Sequence, residues 1–100
     1  MKKTLVIGGS GYIGKNFGLT IPNNHFLKTQ CNNKIPNCVF FDLCNSKLDD
    51  IVINYNEYSH VVITAGMVQF NQIRDNPEKA RHINIDCTKK LIDEIIKKKN

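Results

Sequence analysis

A glycine-rich segment directly follows a short apolar run near the start of the chain. The apolar run is Thr4–Ile7, and the segment after it, Gly8–Gly14, reads GGSGYIG. Its spaced glycines are Gly8, Gly11 and Gly14. In this order, glycines permit a tight turn after a strand, close approach of the backbone to a ligand, and close packing of a helix on the strand. The segment therefore predicts a strand, a turn and a helix whose free N–H groups form a seat for the pyrophosphate of a dinucleotide.

The composition restricts the class of protein. The chain has 100 residues, of which 41% are hydrophobic and 23% are charged, as in an ordinary globular domain. Its net charge of +5 comes from scattered lysines with one cluster at Lys97–Lys99. The sequence has no basic stripe interleaved with aromatic residues, and nucleic-acid binding is therefore not predicted. We find no apolar run long enough for a membrane span and no signal-peptide pattern, and we expect a cytoplasmic protein.

The cysteines and histidines show no metal or redox motif. The four cysteines are Cys31, Cys38, Cys44 and Cys87, and the three histidines are His25, His60 and His82. No CxxC pair occurs, no histidine stands at metal-ligand spacing from a cysteine, and the histidines fall on separate predicted elements. We therefore expect four reduced thiols and no metal site.

Strand and helix patterns alternate along the chain. The predicted strands are Thr4–Ile7, His25–Thr29, Cys38–Phe41 and Val61–Thr64, and the predicted helices are Tyr12–Leu19, Ser46–Tyr55 and Pro77–Lys98. This alternation predicts an α/β fold of the doubly wound Rossmann type, with a partial parallel sheet of about four strands. Right-handed crossovers give the strand order 3-2-1-4, which brings the glycine turn, Asp42 and Gly66 to one edge of the sheet.

Three sequence features define the ends and the inner face of the predicted helices. Ser46, with Asp49 three residues later, resembles a capping box for the short helix. Asn76 and Pro77 supply an N-cap and a first-turn proline for the long helix. The stripe predicted for the inner face of that helix, which the polar residue Asn84 interrupts, consists of Ala80, Asn84, Cys87, Leu91 and Ile95, reinforced by Thr88 and Ile92.

Four segments together resemble the extended short-chain dehydrogenase/reductase family of nucleotide-sugar epimerases, dehydratases and reductases. Gly8–Gly14 is similar to the GGxGxIG turn of the family, and Phe41–Leu43 is similar to the Asp-Leu pair that ends its third strand. Val62–Gly66 and Asn76–Thr88 resemble its fourth strand and its Asn-Pro … Asn-x-x-Gly-Thr helix. Gly66 stands where alanine is usual, and Cys87 stands where glycine is usual.

The resemblance implies a set of cofactor contacts. The N–H groups of Tyr12 and Ile13, with Gly8, Gly11 and Gly14, would hold the pyrophosphate. Asp42 and Leu43 would bind adenine, Ala65 and Gly66 would line the ribose, and Asn84 would support a water relay. Two of these roles have structural alternatives, because Asp42 can be a solvated residue at a strand end and Asn84 can cap a kink in its helix.

The sequence does not choose between NAD and NADP. An acidic residue about twenty positions after the glycine turn normally accepts hydrogen bonds from the ribose of NAD. Lys28–Lys34 contains none. The 2′-phosphate of NADP would instead meet Lys15, Lys28 or Lys34, which favours NADP slightly.

The catalytic tyrosine and lysine of the family, spaced four residues apart, are absent. Tyr12, Tyr55 and Tyr58 have no lysine at that spacing. We expect residues 1–100 to be one NAD(P)-binding domain, ending before the catalytic serine and the Tyr-x-x-x-Lys region, that acts on a nucleotide sugar only together with a downstream domain. The alternative is a non-catalytic NAD(P)-sensing or protein-interaction module. The exposed edge of the fourth strand predicts self-association.

Overall fold

The four strands form one parallel sheet in the order predicted from the sequence. The computed structural model describes residues 2–8, 16, 23–31, 37–66 and 70–99. The strands are β1 (Lys3–Ile7), β2 (Phe26–Gln30), β3 (Cys38–Phe40) and β4 (Tyr58–Ile63). All pairings are parallel, and the order is β3-β2-β1-β4. The strand order therefore reverses beside β1, and the sheet with its helices confirms an α/β architecture.

The inner strand β1 carries the centre of the core. Leu5, Val6 and Ile7 are almost completely buried, and β1 is paired on both sides. In the register of the sheet, Leu5 lies opposite Leu27 on β2 and Val61 on β4. β4 is the outer strand on its side of the described sheet, and association through this strand stays a prediction.

One long helical segment follows the sheet, with a short helix before it. The described helices are α1 (Phe70–Asp75), α2 (Pro77–Arg81) and α3 (Thr88–Lys99), and a π-helical turn, His82–Cys87, joins α2 to α3. The long helix was predicted from Pro77 onward, but neither α1 nor the π-turn was expected. The predicted helix Tyr12–Leu19 lies outside the described residues apart from Asn16, which is helical. None of the helices in the described ranges is long and apolar enough to cross a membrane.

The predicted inner stripe of the long helix is correct only in part. Ala80, Cys87 and Leu91 are buried, whereas Asn84 and Ile92 are exposed. The π-turn contains an extra residue per turn, which displaces the side chains around it from the ordinary helical spacing.

The predicted short helix after β3 is wrong. Two single 3₁₀ turns, Leu48–Asp50 and Tyr55–Glu57, stand in its place. The Ser46 hydroxyl accepts a hydrogen bond from the N–H of Asp42 at 2.9 Å, so it closes the preceding turn instead of capping a helix. The Asp50 carboxylate accepts from the N–H of Lys47, so the first 3₁₀ turn begins one residue later than the predicted cap.

The prediction of four reduced thiols is also wrong. Cys44 and Cys87 form a disulfide, with their Cα atoms 4.9 Å apart. The bond links the turn after β3 to the end of the π-turn across 43 residues of sequence. Cys31 and Cys38 remain thiols. Sequence spacing did not suggest the disulfide because only the fold brings these two segments together.

Candidate functional site

A crevice of about 390 Å³ lies at the carboxyl edge of the sheet. Segments that follow β1, β3 and β4 contribute to its wall, together with the end of β2. The predicted site residues that line the crevice are Gly8, Asp42, Leu43, Ala65 and Gly66. The fold thus brings these five residues from three separate segments to one place, beside the reversal of strand order where α/β proteins bind ligands.

Gly8 has a backbone that other residues adopt only with strain. Its φ is +98°, in the region that favours glycine. A Cβ at this position would lie 2.6 Å from the Ala65 backbone nitrogen and 2.9 Å from the Thr64 hydroxyl. Because the nearest obstacle is backbone, the position requires glycine for both conformation and space.

The hydroxyl groups of two threonines contact the N–H and the carbonyl group of Gly8. The Gly8 N–H donates to the Thr29 hydroxyl at 2.9 Å. The Thr64 hydroxyl lies within hydrogen-bonding distance of the Ile7 and Gly8 carbonyls, at 3.2 and 3.1 Å. We call Thr29 and Thr64 the threonine clamp. Sequence reasoning assigned neither a role in the site, although each stands at or just after the end of a strand that flanks β1.

The described residues do not include the expected phosphate donors. The Gly8 N–H is already bonded to Thr29. The other residues of the predicted seat, Gly11, Tyr12, Ile13 and Gly14, lie outside the described residues. The structure therefore describes the first residue of the glycine turn and the wall opposite it.

The Asp42 carboxylate accepts hydrogen bonds from the turn that directly follows it. It accepts from the Cys44 N–H at 3.1 Å and from the Asn45 side-chain amide at 2.9 Å. The hydrogen bond from the Asn45 side chain, followed by the N–H groups of Cys44 and Asn45, holds the pKa of Asp42 below its usual value. Asp42 is partly exposed at the crevice, and the neighbouring Leu43 packs its side chain against the core. The carboxylate is thus ionised and fixed in direction, whether or not it also meets adenine.

The Asn84 side chain lies next to Gly66, at the wall of the crevice that Gly66 lines. A Cβ on Gly66 would lie 2.9 Å from Asn84 Oδ1. Asn84 belongs to the π-turn, so the residue predicted to support catalysis approaches the residue predicted to line the ribose. The family resemblance joined these positions only by analogy, whereas the structure places them in contact distance.

Sequence reasoning missed two further residues at the crevice. Gln30 ends β2 and is buried at 7% exposure, and no described residue donates a hydrogen bond to its Oε1. Lys79 on α2 is exposed and also lines the crevice. Gln30 lies within Lys28–Lys34, the segment expected to carry an acidic residue in an NAD-binding protein. Lys28, which was expected near a 2′-phosphate, instead places its ammonium over the Phe26 ring.

The described tyrosines do not form an acid/base site at the crevice. Burial raises the pKa of Tyr55 and of Tyr58, opposite to the direction that a proton-accepting phenol needs at neutral pH. The Tyr55 hydroxyl donates to Asp49 at 2.6 Å, and the Lys98 ammonium donates to the same carboxylate at 2.9 Å. Since Tyr55 precedes β4, this group lies at the amino edge of the sheet, away from the crevice.

One group of side chains has the donors for a metal ion. The ligand atoms of Cys44, His82 and Cys87 all lie within 4.8 Å of one another. Sequence spacing did not indicate this group, because the two segments are far apart and the His-to-Cys interval is unusual for a helix.

Comparison with known proteins identified no relative. No protein-family model matches the chain, and searches of curated proteins and of solved structures returned no match.

Proposed function

We propose that the chain binds a nicotinamide dinucleotide, NADP or NAD, in the carboxyl-edge crevice. The observation that carries this proposal is Gly8, whose positive φ and lack of space for a Cβ make it a position that only glycine can occupy, directly after the central strand. This position lies at the reversal of strand order, where Rossmann-type sheets bind dinucleotides. The resemblance to the extended short-chain dehydrogenase/reductase family points to the same location.

The crevice offers suitable groups for the two ends of such a ligand. Asp42 supplies an ionised, fixed acceptor for an amino group, and Leu43 lies beside it. Ala65 and Gly66 leave room for a sugar on the other side. Gln30 offers an amide near the position where an acidic residue normally meets the ribose, and a neutral amide does not repel a 2′-phosphate.

The single cation that lines the crevice within the described residues is Lys79. Its ammonium is exposed, so it can move toward a bound phosphate without breaking an interaction in the core. We infer that Lys79 contributes electrostatic attraction to the ligand, worth at most about 1 kcal/mol at an exposed position.

Hydride transfer needs residues beyond the described crevice. The described part supplies binding groups, and no described tyrosine with a lowered pKa faces the ligand position. We therefore propose the cofactor-binding part of a nucleotide-sugar epimerase or reductase, with a non-catalytic dinucleotide sensor as the alternative. Whether the gene encodes a Tyr-x-x-x-Lys segment after residue 100 would distinguish the two.

Titration calorimetry with NADPH and NADH tests the binding proposal. We expect saturable binding of one dinucleotide per chain, and a weakening of up to about fivefold in Lys79→Glu, equivalent to the energy of one exposed ion pair. Lys89→Glu, with the same charge change on α3 outside the crevice lining, is the matched control and should bind as the unmodified chain does. No saturable binding, or equal weakening by both substitutions, would contradict the proposal.

A further inference from the structure

Two cysteine sulfurs and one imidazole nitrogen meet beside the π-turn. Cys87 Sγ lies 3.4 Å from His82 Nε2, and Cys44 Sγ is bonded to Cys87. A sulfur and a nitrogen that share a tetrahedral zinc ion lie about 3.6 Å apart, from Zn–S and Zn–N distances of about 2.3 and 2.1 Å. The Cys87–His82 pair therefore already has the separation that a shared zinc ion requires.

The π-turn is the reason why His82 and Cys87 face each other. These residues are five positions apart, and in an ordinary α-helix that interval points two side chains in clearly different directions. The turn His82–Cys87 is π-helical, and the Thr88 hydroxyl donates to the Ile83 carbonyl five residues earlier at 3.3 Å. A π-turn places residues five apart above one another, and such turns are frequent at functional sites.

Asp86 lies at the other nitrogen of the same imidazole. Its Oδ2 is 3.4 Å from His82 Nδ1. In zinc sites, a ligating histidine commonly gives its second ring N–H to a carboxylate, which fixes the tautomer and aims the remaining nitrogen at the metal. Asp86 can therefore keep Nε2 available on the side where the two sulfurs lie.

We propose that Cys44, His82 and Cys87 bind one zinc ion when the Cys44–Cys87 disulfide is reduced. His82 is exposed and Cys44 is partly exposed, so a fourth coordination position opens to solvent, where water can bind. Cys87 is buried and anchors the site on the long helix. Three protein ligands with one open position is a known arrangement of zinc.

The disulfide and the zinc site are alternative states of the same sulfurs. A dithiol reductant gives two electrons and two protons to the S–S bond, which yields two thiols while the reductant becomes a disulfide. Zn²⁺ then displaces the two thiol protons to solvent and binds both thiolates. The oxidised chain has no thiolate at these positions and does not bind the ion there.

Cobalt and zinc titrations of the whole chain test this proposal. After reduction and anaerobic removal of the reductant, we expect one Co²⁺ per chain, with visible absorption of a tetrahedral site and a thiolate-to-cobalt charge-transfer band. Zn²⁺ should displace the cobalt. The oxidised chain should show neither band.

Substitutions separate this site from unspecific thiol binding. We expect Cys44→Ser and His82→Ala each to weaken Zn²⁺ binding by at least about 100-fold, and Asp86→Asn to weaken it by about 10- to 100-fold. The double variant Cys31→Ser/Cys38→Ser is the matched control and should retain the full affinity.

Two results would overturn the proposal. One is that the reduced chain binds no Co²⁺ or Zn²⁺, and the other is that His82→Ala retains full affinity. His82 is exposed, so its removal should leave the fold intact, and circular dichroism checks this for every variant. The outcome is independent of the dinucleotide titration, which uses the oxidised chain.

Discussion

The carboxyl-edge crevice and the apolar cavity on the sheet are maintained by different kinds of interaction. The apolar cavity, which we call the groove, measures about 460 Å³ and is lined by residues that include Leu5, Leu48, Val52, Val61 and Ile95. Its shape results from the burial of hydrophobic side chains. The crevice instead depends on one backbone conformation at Gly8, the threonine clamp and the Asp42 turn. Substitutions in the groove should therefore change stability alone, whereas substitutions in the crevice should change stability and ligand binding together.

Leu48→Ala is expected to have the largest effect on stability. Leu48 is 1% exposed and belongs to the core cluster, so its truncation removes apolar contacts there and enlarges the groove that it lines. We expect a loss of about 3–5 kcal/mol in the free energy of unfolding, measured by urea denaturation. The matched control is Ile53→Ala, because Ile53 is fully exposed at 101% and its truncation should change stability by less than about 0.5 kcal/mol.

The same variant tests whether the groove is separate from the crevice. Among molecules that remain folded, Leu48→Ala should bind the dinucleotide with unchanged affinity, because Leu48 does not line the crevice. A weakened affinity after correction for the unfolded fraction would show that the two regions are coupled. The groove and the crevice would then not be maintained by separate interactions.

Gly8→Ala should combine both kinds of effect. The positive φ and the contact of the new methyl group with the Ala65 backbone together predict a loss of about 2–4 kcal/mol and loss of dinucleotide binding. Gly66→Ala is the comparison variant. The φ of +158° at Gly66 also strains an alanine, but the new methyl group would meet the Asn84 side chain and not the backbone. We therefore expect a smaller loss than for Gly8→Ala, about 1–2 kcal/mol. Equal losses in urea denaturation for both variants would mean that the backbone at Gly8 is not the constraint.

The sequence predicted the sheet better than the crevice. The apolar runs around Leu5 and Val61 identify two adjacent strands, and the alternation with helices fixes the order β3-β2-β1-β4. Those signals arise from burial, which hydrophobic periodicity reports directly. The glycine at position 8 was also predictable, because a glycine directly after a strand, at this spacing from Gly11 and Gly14, is typical of a tight turn.

The remaining features depend on contacts that no local pattern records. The hydrogen bond of Gly8 to Thr29 follows from the register between β1 and β2, which places Val6 opposite Lys28. The π-turn removes Asn84 from the predicted inner stripe and brings His82 to Cys87, because it breaks the ordinary helical period on which that prediction rested.

Thr29→Val should have a moderate effect within the crevice. The hydroxyl is buried and accepts the Gly8 N–H, so valine leaves that donor without its partner. We expect a loss of about 1–2 kcal/mol and a weaker dinucleotide affinity. Thr64→Val should cost less, about 0.5–1 kcal/mol, since the Ile7 carbonyl still accepts the N–H groups of Thr64 and Ala65. The reverse order in thermal or urea denaturation would contradict the roles assigned to the threonine clamp.

The smallest expected effect is the pH dependence that Asp42 contributes. Hydrogen bonds, first from the Asn45 side chain, lower the pKa of Asp42 in the folded state. Its stabilisation is therefore complete above the unfolded pKa of about 3.9 and is lost as the pH falls through the lower folded value. Asn45→Ala should flatten this acid-side loss of stability, measured as the urea midpoint between about pH 2 and pH 7.

Tyr55→Phe, near the groove, is the matched substitution for Asn45→Ala in the crevice. The pKa of Asp49 is also lowered, first by the hydrogen bond from the Tyr55 hydroxyl. Tyr55→Phe should flatten the acid-side slope as Asn45→Ala does, but it should leave dinucleotide affinity unchanged because Tyr55 lines the groove. Only Asn45→Ala should weaken the ligand, since it frees the Asp42 carboxylate from its fixed direction in the crevice. If both variants weaken dinucleotide binding equally, the fixed direction of the Asp42 carboxylate makes no specific contribution to binding.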